Sequence, residues 1–424
     1  MKVVPRTRYL FAMAVDAIGS GMYLPLSLLY FHRTTGAPLT RVGALLTTAA
    51  VIGLVSNPLT GILVDRLGAR RVVIGGYLLR AAAFACYPLV HSELPLLVVV
   101  TVVALCDAAF SPSVQSFVAE ISRGAERDRL IAAQRSLRNA GLGAGGLIAG
   151  AALALGDDAA YDAIVLVAAV TFAGAAALVR SIPGGDGAAA RARPTGRGGY
   201  RQVLRNRPFL ALTALNVPVA LGYTVLNVGL PVYLTQVLGQ PSSLIGVLYA
   251  VNTVGIAVLQ IPVTRALLRV RRTRAVACGT AVFALSFAAF AGFSLLSAGA
   301  VLLTGVFAAT AGFTLGELLH GATASALVTS AAPEATRGRH LAFYQLSWAI
   351  PIAVSPALLT ALLAWSPTGM WLLLAAGAAV STAGVLRLEL RLPVSAVDPT
   401  APADEPVARS SGASLGGGGR RPSA

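Results

Sequence analysis

The 424-residue sequence predicts an all-α integral membrane protein whose twelve transmembrane helices form two six-helix halves. Three observations carry that prediction. The composition is 56% hydrophobic and only 12% charged, with mean hydropathy +0.74; the apolar residues lie in long continuous runs; and a polar, glycine- and arginine-rich break divides the chain near its middle. A bilayer-crossing helix takes about 20 mostly apolar residues, so twelve take roughly 240 and leave the rest for loops, ends and a tail. Such an apolar content excludes a soluble globule. The continuity of the runs disfavours an outer-membrane barrel, whose strands alternate over about ten residues.

The runs lie at about 8–31, 42–64, 72–90, 95–119, 133–155, 161–182, 208–234, 244–264, 275–296, 299–328, 341–363 and 369–388. The first follows Lys2, Arg6 and Arg8, is too long for the apolar core of a signal peptide, and lacks a small-residue cleavage site, so it reads as an uncleaved helix. With the amino terminus inside, the inner connections hold Arg66, Arg70, Arg71, Arg123, Arg127, Arg129, the arginines of 191–207 and 265–274, Arg337 and Arg339, against Arg33 and Arg41 outside. That asymmetry places both termini in the cytoplasm of a multi-pass protein in the cytoplasmic membrane. The expected organisation is a first half at 1–182, a cytoplasmic linker at 183–207, a second half at 208–390 and a disordered cytoplasmic tail at 391–424. A weak repeat supports the halves: Glu126-Arg127-Asp128-Arg129 before the fifth run matches Thr336-Arg337-Gly338-Arg339 before the eleventh.

The net charge of +16 comes from 33 basic and 17 acidic residues, with Lys2 the only lysine. Its arginines stand singly or in short groups between apolar runs, where orientation in the bilayer explains them and nucleic-acid binding does not. Cys86, Cys106 and Cys278 lie inside apolar runs without CxxC spacing, so neither a disulfide framework nor a zinc site is indicated. A nucleotide-driven pump would need a P-loop lysine that the chain lacks, and no HExxH or His/Cys/acid cluster offers a catalytic metal. The expectation is therefore a protein that is not an enzyme, has no cofactor and draws energy from an ion gradient.

Between the second and third runs stands Gly61-Ile62-Leu63-Val64-Asp65-Arg66-Leu67-Gly68-Ala69-Arg70-Arg71. Its residue types, spacing and position resemble the cytoplasmic loop signature of the major facilitator superfamily, over residues 1–390, and in particular its proton-coupled exporter branch for drugs and small molecules. Physically, Gly61 allows two helices to approach and Asp65 faces the positive end of a neighbouring helix. The resemblance implies that Asp65 latches one conformational state by contacting the eleventh helix, and that a basic residue of the signature bridges to an acid ending the fourth, here Glu120. Ala69 stands where the family usually has a basic residue, so Arg70 or Arg66 makes the bridge or it is absent. The competing reading is that Arg66, Arg70 and Arg71 serve topology alone.

Asp16, Asp107 and Glu317 lie within the first, fourth and tenth runs. A charge at the centre of a membrane helix costs about 2.5 to 3.5 kcal/mol on insertion scales, which makes each acid a functional candidate. The resemblance implies that these runs, with the seventh, line a central cavity. A carboxyl alternating between burial and a cation can take up and release a proton. The competing reading is a static ion pair with Arg80, Arg135 or Arg138. His320 lies one turn from Glu317, as a second proton carrier or as a packed core residue. Tyr23, Asn216, Tyr223, Asn227, Tyr344, Gln345 and Trp348 offer aromatic and amide groups for a bulky amphiphile, or serve helix packing equally well.

Gly141-Leu142-Gly143-Ala144-Gly145-Gly146 satisfies GxGxxG, but without a preceding strand it reads as a close-packing helix face. The GxSxG match at 412–416 lies in the tail, where no nucleophile elbow forms. The sequence thus predicts a monomeric secondary transporter that handles a small molecule and protons within the lipid bilayer, most simply as an exporter. An importer or facilitator of a metabolite, and a transport-dead scaffold or receptor, remain the alternatives.

Overall fold

The computed structural model describes residues 4–54, 62–64, 66–122, 125–154, 159–182, 201–297, 299–333 and 336–400. Every regular element among them is helical. Twelve helices have sixteen residues or more: α1 (Val4–Tyr23), α2 (Leu39–Leu54), α3 (Ala69–Ala85), α4 (Glu93–Ile121), α5 (Ala125–Ala154), α6 (Ala159–Arg180), α7 (Arg207–Tyr223), α8 (Ser243–Leu267), α9 (Arg272–Gly292), α10 (Ala300–Ala331), α11 (Arg337–Trp365) and α12 (Pro367–Leu388). Nine of the helical stretches among the described residues are long and apolar enough to cross a membrane. The other three are short or charged. α2 has 16 residues and α7 has 17, while the first turns of α5 carry Glu126, Arg127, Asp128 and Arg129.

Local chemistry sets the breaks. α1 passes through a 3-10 turn at Leu24–Leu26, where Pro25 withholds a donor, into a helix at Ser27–Thr35 that ends on Gly36 at φ +67°. Gly68, at φ +81°, turns the chain into α3, a conformation that favours glycine. The expected single run at 208–234 is interrupted: α7 stops at Tyr223, and the chain resumes as Gly229–Val232 and a π turn at Tyr233–Val237. Gly229 and Pro231 weaken the helix there, one through backbone freedom and the other through its missing N–H. The expected tail also begins too early. Leu392, Ala396 and Val397 are buried against the ends of α9 and α10, and Arg272 donates to the Ser395 and Ala396 carbonyls at 3.0 and 3.1 Å. Apolar burial at those positions outweighs the polar composition beyond them.

Within the first half α1 packs on α5 and α6, α3 on α4 and α6, and α2 on α4; within the second, α7 packs on α11 and α12, α9 on α10 and α12, and α8 on α10. The halves meet where α5 lies on α8 and α2 on α11. Glycine makes the first contact possible: a carbon added at Gly246 of α8 would come within 2.6 Å of Gly150 Cα on α5. On its other side α5 uses Gly145 against α1, where an added carbon would stand 2.7 Å from Met22 N. The glycine-rich segment is therefore a packing face in two directions. Outward, Phe11, Leu79, Val170, Val258, Leu285 and Val380 are more than half exposed, an apolar surface that suits lipid.

Polar contacts align the helix ends. Arg8 at the start of α1 donates to the Ser181 carbonyl at 2.7 Å, Asn206 meets His340 at 3.4 Å, and Arg271 reaches Glu389 at 2.7 Å. The starts of odd-numbered helices and the ends of even-numbered ones thus share one face, called the terminal face below. The opposite one is the far face.

Candidate functional site

The two inter-half contacts lie toward the far face. On one seam Gly143, Gly146 and Gly150 of α5 meet Thr253, Tyr249 and Gly246 of α8. On the other the Ala357 N–H donates to Thr47 Oγ1 at 2.9 Å, and Gly43 faces Pro356 and Thr360. Nearer the terminal face the halves part around a cavity of about 630 Å³. Its lining includes Ser136 and Asn139 of α5, Gln260 of α8, Glu317 and Gly321 of α10, and Tyr223. A second cavity of about 490 Å³ adjoins it at Ile131 and is lined by Asp107, Gln115, Gln134 and Arg138 among others.

The two acids at membrane depth in the first half form one ion cluster. Arg80 Nη1 stands 3.2 Å from Asp107 Oδ1 and 3.6 Å from Asp16 Oδ1, and Arg138 Nη1 lies 3.8 Å from Asp16 Oδ2. Arg80 also donates to Ser20 Oγ at 3.3 Å, and its guanidinium sits 4.1 Å from the Phe172 ring centroid. Its charge is thus held by two carboxylates and an aromatic face. Asp16 is 1% exposed, whereas Asp107 opens on the cavity. Of the two readings of Asp16, this state has the ion pair.

Glu317 differs. Half-buried on the cavity wall, its Oε2 accepts from Asn252 Nδ2 at 2.9 Å, and no ion pair to it occurs among the described residues. Tyr223 Oη donates to the Glu317 backbone carbonyl at 3.2 Å and lies 3.1 Å from His320 Nδ1. His320 is 2% exposed, enclosed by the Tyr223, Phe283 and Trp348 rings. One hydroxyl thus touches both the α10 backbone at Glu317 and the imidazole one turn on. Asn252 was not singled out in the sequence, because an asparagine in an apolar run carries no spacing signal.

The remaining candidates divide by position. Tyr223 lines the cavity and stacks edge-on against Trp348 at 5.0 Å. Asn216 donates to Ser347 Oγ at 2.9 Å and, with Tyr344, is buried in the second half. Asn227 falls in the break after α7, and Gln345 is exposed. Tyr23 is 6% exposed inside a ring cluster with Phe31, Phe84 and Tyr87, so its role there is packing.

Gly61 and Asp65 lie outside the described residues, so the latch contact does too. The rest of the signature departs from the expected bridge. Glu120 Oε1 accepts from the Ala69 N–H at 3.3 Å, a carboxylate at the positive start of α3, while Arg70 donates to the Arg180 carbonyl. Arg66, Gly68 and Arg71 are exposed at the terminal face.

Comparison with known proteins agrees with this architecture. The profile described as Major Facilitator Superfamily matches residues 9–315 and 212–417. The chain is 28% identical over 302 residues to Multidrug resistance protein MdtH of Aeromonas hydrophila, covering 69% of this chain and 70% of that one, with the same figures for the protein of that name from Aeromonas salmonicida. Among solved structures, a variant of nucleoside transporter NupG superposes with TM-score 0.77 at 11% identity, covering 91% of this chain and 99% of that one. A POT family transporter bound to a thioalcohol-conjugated peptide gives TM-score 0.74 at 14% identity, covering 91% and 96%. Two helical halves parted around a shared cavity, a signature loop after the second helix and matches along nearly the whole chain have one reading: the chain belongs to the Major Facilitator Superfamily, as a multi-pass membrane transport protein and not an enzyme.

Proposed function

We propose that the chain exports small amphiphilic molecules across the cytoplasmic membrane in exchange for protons, by alternating access, with both termini in the cytoplasm. The observation that carries the reading is Glu317, a carboxylate on the wall of the inter-half cavity whose side chain is held by an amide. A proton can come and go at such a group as the cavity changes the side to which it opens. The name of the MdtH relatives supports a drug-like cargo. With the arginine-rich connections in the cytoplasm, the terminal face is the inner one and the cavity faces inward.

The energetics fit a gradient-driven cycle. Concentrating a substrate 100-fold costs about 2.8 kcal/mol, and one charge crossing 100 mV supplies about 2.3 kcal/mol. Exchange of one proton for a monovalent cation is electrically silent, so at least two protons are needed to draw on that potential. The test is ethidium flux in vesicles holding the purified protein. Accumulation against an acidic lumen that collapses with a protonophore is expected. Downhill flux indifferent to the protonophore would instead identify a facilitator, and absence of flux for any cargo a scaffold.

A further inference from the structure

Asn252 joins two functions on one helical turn. Its amide, 5% exposed, donates to Glu317 Oε2 at 2.9 Å and to Thr314 Oγ1 at 3.1 Å, both on α10. Its neighbours Tyr249 and Thr253 make the α5 contact: a carbon added at Gly146 would stand 2.7 Å from Tyr249 Cδ1, and one at Gly143 would stand 3.0 Å from Thr253 Cβ. Three residues of α8 therefore span from the first half to the coupling carboxylate. A tilt or rotation of α8 relative to α10 that opens the far seam also moves the amide relative to Glu317.

We propose that Asn252 is a positioning residue that ties the protonation of Glu317 to the contact between the halves. The proposal rests on the assignment of Glu317 as the coupling acid. Few groups compete for that role. Tyr223 faces the site from α7, Tyr249 from α8 and His320 from α10 itself, Tyr344 of α11 lies beside Tyr223, and α9 presents Gly279 and Phe283 to α10. Arg138 stands across the seam on α5, engaged with Asp16. Among these, Asn252 donates directly to a carboxylate oxygen. A donor of this kind favours the charged form of the acid, and its loss makes protonation easier.

The experiment is an infrared pH titration of the purified protein in lipid nanodiscs, with no cargo present. The protonated carboxyl band of Glu317 is the one missing in Glu317→Gln. In Asn252→Ala its midpoint should move up by about one pH unit, and Asn252→Gln, which keeps a donor, should bring it part of the way back to the native value. Gly143→Val, which crowds Thr253, should move the midpoint in the native background and leave it in place in Asn252→Ala. An unmoved midpoint in Asn252→Ala overturns the positioning role, and additive shifts in the double variant overturn the link to the seam. Failure of the underlying reading looks different: Glu317→Gln would then keep proton-driven accumulation whatever the band does.

Discussion

Arg80 and Asp107 meet at 3.2 Å with opposite surroundings, the guanidinium buried between α1 and α6 and the carboxylate half open to the cavity. The same cation holds Asp16, which is closed off from any cavity water. Removing Arg80 should therefore hurt more than removing Asp107. Arg80→Ala leaves two carboxylates without their main cation and should destabilise the first half by about 3 to 5 kcal/mol. Asp107→Asn should cost about 1 kcal/mol or less, as for a half-exposed pair. Thermal unfolding in detergent checks the order, and equal loss in both variants would refute it.

Glu317→Gln should abolish gradient-driven accumulation while substrate exchange survives, since the cavity wall keeps its shape and loses only a titratable oxygen. Counterflow and proton-driven uptake in the same vesicles separate the two activities. Proton-driven accumulation at the native rate would move the coupling role to Asp16 and Asp107.

Gly246→Val should prevent closure of the far seam, because the new side chain would occupy space filled by the backbone of Gly146 and Gly150. A tenfold or greater loss of transport is expected, corresponding to about 1.4 kcal/mol or more against the closed state. Gly292→Val, at a glycine with no neighbour within 4 Å of an added carbon, serves as the control that should transport normally.

Asp65→Asn should slow transport severely while leaving membrane insertion intact, as the signature loop implies. Surface labelling and flux in the same cells measure both, and normal turnover would dismiss the latch.

Sidedness follows from the arginine asymmetry. A cysteine at Ala159, exposed at the start of α6, should label from outside intact cells, whereas one at Leu204, 58% exposed, should label only after permeabilisation. The reverse pattern would invert the orientation of the cavity.

The sequence disclosed helices and charges well because both are local properties. Apolar length marked most of the helices, and Arg80 could be named as a partner of Asp16 or Asp107 since few cations exist at membrane depth. The glycines of α5 were legible as a packing face, but their partners were not: which helix receives Gly146 depends on how the halves dock. Asn252 was missed for the same reason, its meaning residing in α10, 65 residues away. Tyr23 misled because an aromatic ring near a helix end fits a cavity wall and a core equally well. The docking of Leu392, Ala396 and Val397 was hidden by the polar residues that follow.

The ion cluster of the first half is also ordered along the chain in the sequence in which it is synthesised. Asp16 emerges with α1, Arg80 with α3 and Asp107 with α4, so the ribosome delivers acid, base and acid in turn. When Arg80 leaves the translocon its first counterion already waits in the bilayer, and the second arrives with the next helix.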